Sequence, residues 1–248
     1  AQDERFYKLA ILDDDAHSPL ATAVWRAIYR KRYEALVEEG RDVFSNYDIL
    51  KDTFVISKTE NTNLRTAFKP MTFGSIYGMR IKKTAKTLNV SDDEAKIALN
   101  VIRKMIPKTF RMVETNARTA IQNGFLILNT RTNSRIWYPA VITALKNNTS
   151  LDFMDEAIIT GSAKNSPIQG TQADMVKEMI VVIGKAIKQN QWDAVLVKQV
   201  HDELVYKFHK DLVDFPAFVK QTMIDVGNRY LNFIKISAEQ KTDLTWTK

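Results

Sequence analysis

The sequence predicts an α+β protein of two regions, one dominated by helices and a later one that mixes strands with helices. Three observations predict it. Over much of residues 18–123, apolar residues recur at helical spacing between recognisable caps. The period then shortens to that of strands at two places, around 125–138 and 194–208. No alternating strand–helix ladder with a glycine-rich phosphate loop appears, so the pattern is not that of a doubly wound parallel sheet.

Ser18 followed by Pro19 opens the first helix, because the fixed φ of proline suits the first helical position. Leu20, Val24, Ala27, Ile28, Ala35 and Leu36 carry its apolar face toward Gly40, which predicts a helix over about 19–39. Residues 41–61 carry mixed signals that fit short helices joined by loops. Arg65 to Gly78 has helical spacing, but Pro70 removes the bond to the Thr66 carbonyl, at about 3 kcal/mol in a helix interior. The helix is expected to bend there or to start near Lys69. Ser91 and Glu94 form a capping box ahead of Ala95, Ala98, Leu99, Ile102 and Ile106. A helix over about 108–123 follows, closed by Gly124 where a left-handed residue commonly ends a helix. Phe125–Leu128 and Ile136–Tyr138 flank a polar turn as a hairpin, and 147–150 form a loop. Met175, Met179, Val182, Ile183, Ala186 and Ile187 predict a long amphipathic helix from Thr171 to about Lys188, entered from a loop with Thr171 as its cap. Ala194–Val200 and Leu204–Phe208 flank His201, Asp202 and Glu203 as a tight hairpin with its charges at the turn. A last helix, about 212–233, and a strand-like end from Ile234 to Trp246 complete the chain.

At 248 residues with 45% hydrophobic and 26% charged, the chain can bury a real core as one large domain or two small ones. Eight Gly and six Pro are too few for a collagen-like, linker-like or wholly disordered chain. No apolar run approaches a membrane span, and the polar start is no signal peptide. The absence of Cys excludes a disulfide framework, a thiolate nucleophile and any Cys-bearing zinc site, and three His leave little for a histidine-rich one. A net charge of +7 points to a polyanionic partner.

Three constellations carry chemistry. In the first, Arg65, Lys69, Phe73 and Tyr77 stand four apart, so on a helix they form a stripe of two cations followed by two aromatics. Such a stripe has the shape of a nucleotide: cations suit a triphosphate, flat rings a base and sugar. A solvated basic face running into a buried aromatic pair would have the same spacing. The second, His201-Asp202-Glu203, holds two carboxylates at a hairpin turn, which suits Mg²⁺, an ion that takes one or two protein carboxylates and completes its shell with phosphates and water. A solvated polar turn is the ordinary alternative. The third, Asn165 to Asp174, offers Asn165 and Gln169, whose side-chain amides suit the acceptors that every base pair shows in the minor groove.

In this order and combination the three closely resemble family A DNA polymerases, the DNA polymerase I type. The fingers-helix motif of that family matches at Arg65, Lys69, Phe73, Gly74, Tyr77 and Gly78. Its Asn-x-Pro-Ile-Gln-Gly-Thr-x-Ala-Asp motif matches at Asn165 to Asp174, and Val-His-Asp-Glu matches at Val200 to Glu203. The resemblance implies a right-hand polymerase fold with mostly helical fingers over 19–159 and an antiparallel-sheet palm from 1–18 and 160–248, the thumb being absent. It implies template-directed addition of deoxynucleotides to a primer 3′-end with two Mg²⁺ ions. Asp202 would bind metal with Glu203 beside it. Arg65 and Lys69 would hold the triphosphate, with Lys69 also protonating the leaving group. Phe73 and Tyr77 would pack on the nascent pair. Gln2 and Glu4 match the tail of the first palm motif and would belong to the nucleotide site, Glu4 blocking a ribose 2′-hydroxyl. Asn165, Gln169 and His201 would touch primer-template DNA, and binding would be strongly salt-dependent.

The first palm motif of the family carries another metal-binding Asp, which would fall before residue 1. The chain is therefore expected to be the C-terminal part of a divided polymerase, active together with an N-terminal chain carrying the thumb and that Asp. A bacterial or phage-infected cytoplasm is the expected setting, and Asp3 and the Asp13-Asp14-Asp15 run are local candidates to stand in for the lost ligand. Leu50 stands where the family often has His, Gly161 where it usually has Arg, and Thr72 where Asn is usual; Lys164 could replace the charge lost at Gly161. A rival from another class is a catalytically silent DNA-binding or assembly subunit of a replication complex.

Overall fold

A computed structural model describes residues 15, 17–39, 55–231 and 234–243. It divides into two compact units, one built from the chain up to Gly124 together with Tyr138–Asn165, the other from Phe125–Trp137 together with the chain from Ser166 onward. Among the described residues no helix is long and apolar enough to cross a membrane.

The first unit is helical. Its described elements are α1 (His17–Glu38), α2 (Thr62–Ile76), α3 (Ile81–Leu88), α4 (Asp92–Met105), α5 (Pro107–Asn123), α6 (Pro139–Asn147) and the opening turns of α7 (Phe153–Gln189). The apolar stripe of α1, Leu20, Val24, Trp25 and Ile28, is buried against Phe68 and Met71 of α2 and Ile102 of α4, which form one core with Ile106, Phe110 and Val113. Both predicted caps are present. Ser91 Oγ accepts from the Glu94 N–H while the Glu94 carboxylate accepts from the Ser91 N–H, and Gly124 closes α5 at φ 72°. Of the two alternatives at Pro70, the late start is not found: α2 starts at Thr62, not at Lys69, and runs through Pro70. Pro70 sits on the exposed side, and the burial of Phe68, Met71 and Ile76 on the other side offsets the missing bond.

Among its described residues the second unit holds two antiparallel hairpins and two helices. β1 (Phe125–Asn129) pairs with β2 (Ser134–Trp137), and β3 (Ala194–Val200) pairs with β4 (Glu203–Phe208) with a bulge between Leu196 and Lys198. The rest of α7 and α8 (Phe215–Tyr230) share a core of Val176, Met179 and Val226 with Leu204 and Met223 against it. Trp192, Phe215 and Phe218 pack edge to face beside it.

Two further expectations are corrected here. Residues 165–170 are not a loop and Thr171 is not a cap. α7 starts eighteen residues earlier, at Phe153, because Asp152 Oδ1 accepts from the Met154 and Asp155 N–H groups at 2.7 and 2.9 Å. Gly170 and Thr171 serve packing instead. A Cβ on Gly170 would stand 2.8 Å from the Leu128 Cβ, so only glycine lets β1 approach the helix this closely. Thr171 Oγ1 donates to the Leu128 carbonyl at 3.2 Å and accepts from Asn129 Nδ2 at 3.3 Å, tying the hairpin down. The strand-like end is also absent over 234–243, which has no regular structure.

Candidate functional site

The stripe on α2 is real and faces outward. Phe68, Met71, Thr72 and Ile76 turn the opposite side of the helix into the core, which leaves Lys69 exposed and Phe73 53% exposed, with Arg65 and Tyr77 partly buried. Tyr77 ends the helix, its N–H bonded to the Phe73 carbonyl at 3.0 Å. Phe73 is thus not the buried ring that a merely solvated basic face would run into, whereas Tyr77 packs partly against the core. A half-exposed phenylalanine beside two cations suits a ligand with a flat face and negative charge.

Arg65 is held by a residue for which the sequence suggested another role. Its Nε and Nη2 donate to Asp15 Oδ2 and Oδ1 at 2.8 and 2.9 Å, and Nε also reaches Ser18 Oγ at 3.0 Å. Asp15 accepts in addition from Ser18 Oγ and from the N–H groups of His17 and Ser18 at the start of α1. Burial alone would raise its carboxyl, but these bonds, Arg65 foremost, hold it well below the usual carboxylate range. Asp15 is therefore not a spare metal ligand, because both its oxygens are committed; Asp3, Asp13 and Asp14 lie outside the described residues. His17 Nδ1 bonds Thr72 Oγ1 at 2.8 Å, and its ring meets the edge of Phe73 at 5.7 Å. Burial keeps its pKa below the ordinary value, with Arg65 and Lys69 adding to the effect against Asp15. Sequence reasoning missed His17 and Thr72 as members of this group. Arg65 also gains, its charge favoured by the Asp15 bonds.

The hairpin tip lies in the second unit. Val200 pairs with Glu203, so His201 and Asp202 alone make the turn, and His201 takes the left-handed φ of 54°. Gln199 Nε2 donates to the His201 carbonyl at 3.1 Å. Asp202 and Glu203 are both exposed and help line a cleft of about 790 Å³ with Gln172, Met175 and Met223. Hard, exposed carboxylate oxygens fit Mg²⁺ by donor chemistry, with Asp202 and Glu203 as the donors this segment offers. Among the described residues no group of three or more His, Asp or Glu gathers as a fuller metal site.

Asn165 closes the part of α7 that belongs to the first unit, and Gln169 is exposed one turn later in the second. Lys164 Nζ would stand 3.4 Å from a Cβ on Gly78, whereas Gly161 meets nothing within 4 Å. Asp174, the last residue of that motif, accepts from Thr132 Oγ1 at 2.6 Å and from Ser134 Oγ, and so fixes the first hairpin to α7. Gln2, Glu4 and Leu50 lie outside the described residues.

Comparison with known proteins places this chain in a family. The model of the DNA polymerase family A matches residues 31–248. DNA polymerase I of Bacillus caldotenax is 30% identical over 172 residues, covering 69% of this chain and 19% of the relative. DNA polymerase I of Lactococcus lactis subsp. cremoris is 28% identical over 196 residues, covering 78% of this chain and 21% of the relative. The chain thus spans about a fifth of the length of these curated relatives. A solved structure, the polymerase domain of Pol1 from M. smegmatis in complex with DNA primer-template and dNTP, superposes with a TM-score of 0.59 at 22% identity, over 91% of this chain and 35% of that one. That likeness agrees with an α+β polymerase-domain fold that is mostly helical with small antiparallel sheets. The chain belongs to the DNA polymerase family A.

Proposed function

We propose that the chain is the C-terminal part of a DNA-directed DNA polymerase that adds deoxynucleotides to a primer 3′-end under template direction, with residues 19–159 contributing fingers and residues 1–18 and 160–248 contributing palm. The observation that carries this reading is the stripe of a partly buried Arg65, an exposed Lys69 and a half-exposed Phe73, which offers charge for a triphosphate and a ring for the base and sugar. Arg65 and Lys69 bind and orient the triphosphate, and Lys69 Nζ supplies a proton to the departing pyrophosphate. Phe73 and Tyr77 pack on the nascent pair. Glu4, with Gln2, favours a deoxyribose. Asn165, Gln169 and His201 contact the primer-template. Asp202, beside Glu203, holds metal, together with an Asp supplied from upstream of residue 1. Two Mg²⁺ ions, when bound, activate the primer 3′-hydroxyl and shield charge on the leaving group.

Primer extension tests the reading, using the full chain alone and mixed with any polypeptide that co-purifies with it. Extension with Mg²⁺ and dNTPs, abolished by Asp202→Asn in a protein that still folds, is the expected result. DNA binding without extension in every mixture would favour a silent assembly subunit instead.

A further inference from the structure

We infer that Asp15 is a positioning residue for the triphosphate: it fixes one edge of the Arg65 guanidinium so that the other edge is presented to phosphate oxygens. A guanidinium has two edges able to make paired hydrogen bonds. Asp15 takes the one made by Nε and one Nη2 proton, in a fork of 2.8 and 2.9 Å. Among the described residues nothing bonds Nη1, so the edge made by Nη1 and the second Nη2 proton is left for a ligand. The fork is backed by further hydrogen bonds. Asp15 is itself bound by the Ser18 hydroxyl and by two N–H groups at the start of α1, and α1 is anchored in the core through Leu20 and Val24.

The surroundings agree with this arrangement. His17, two residues on, bonds Thr72 and meets the edge of Phe73, so a single short segment braces both a cation and a ring of the stripe. Lys69, one turn further along α2, has no such clamp among the described residues and is exposed. The site therefore combines one clamped planar cation with one exposed point charge, a pairing suited to a chain of phosphates whose nearest group needs orientation and whose farther group needs charge.

This inference rests on the reading of Arg65 as a triphosphate ligand, and kinetics of single-nucleotide incorporation can separate the two. The full chain with its co-purifying polypeptide is assayed as wild type, Asp15→Asn, Arg65→Ala and the double variant. Asp15→Asn is expected to raise KM for the dNTP about tenfold with kcat within about twofold, and to add nothing once Arg65 is Ala. An equal KM effect in the Arg65→Ala background would make Asp15 merely structural and overturn the inference. A lowered KM would overturn it too, making Asp15 a competitor of the triphosphate. If Asp15→Asn fails to fold, Ser18→Ala, which loosens the same fork, should raise KM only when Arg65 is present, and no change would overturn the role. An Arg65→Ala variant with unchanged KM defeats the reading of Arg65 itself.

Discussion

The ring of Phe73 is the most informative single side chain, because it stands half-exposed in line with two cations, with the edge of His17 against it. Phe73 lacks the hydroxyl that a tyrosine would offer in place of a missing 3′-hydroxyl. Phe73→Tyr should therefore improve use of dideoxynucleotides relative to dNTPs by about tenfold or more, since one hydrogen bond near charge is worth about 1.5–3 kcal/mol. Competitive incorporation assays check it, and an unchanged ratio would refute the role given to the ring. Acid should act on the same cluster in two steps. The pKa of His17 is held below its ordinary 6.5 in the fold, so its protonation favours the unfolded chain and stability falls as pH drops below about 6.5. The Asp15 carboxyl is also depressed from 3.8, so its contribution is complete above that value and is lost as pH falls below it. Urea unfolding against pH should show both losses, with His17→Gln removing the upper step and Asp15→Asn the lower. At this scale the sequence disclosed the charges and rings but not their partners. Asp15 and Arg65 are fifty positions apart, and only the packing of α1 on α2 brings them together.

Among the elements, α7 shows best what periodicity can and cannot tell. Its apolar repeat after Thr171 was plain, as were the caps at Ser91 and Gly124 and a tight hairpin around His201-Asp202-Glu203, although Glu203 turns out to open the strand and the turn takes only two residues. Its first half was hidden because Pro167 and Gly170 ordinarily interrupt a helix, whereas here Asp152 starts the helix upstream and Gly170 admits Leu128. Gly170→Ala thus has an unusual sign. In an open helix interior this change stabilises by about 1 kcal/mol, but here the new Cβ meets the Leu128 Cβ at 2.8 Å, and overpacking of this kind costs about 1–3 kcal/mol. Chemical denaturation should show a net loss of stability. Gly184→Ala, with nothing within 4 Å of the new methyl, should show a gain, and two gains would contradict the close packing of β1 on α7.

Over the whole molecule, the sequence motifs foretold an α+β polymerase fold, and family membership and a solved polymerase domain agree with it. The division into units was less legible. The hairpin of β1 and β2 interrupts the helical region in sequence yet clusters with the later segment, through long-range contacts such as Thr171 to Leu128 and Asp174 to Ser134 that no local pattern encodes. The central claim is that the α2 stripe holds a nucleoside triphosphate. Single-nucleotide incorporation by the chain with its co-purifying polypeptide tests it most directly: the account predicts that Lys69→Ala lowers kcat/KM for the dNTP by about tenfold or more, and an unchanged kcat/KM in a folded variant would contradict it.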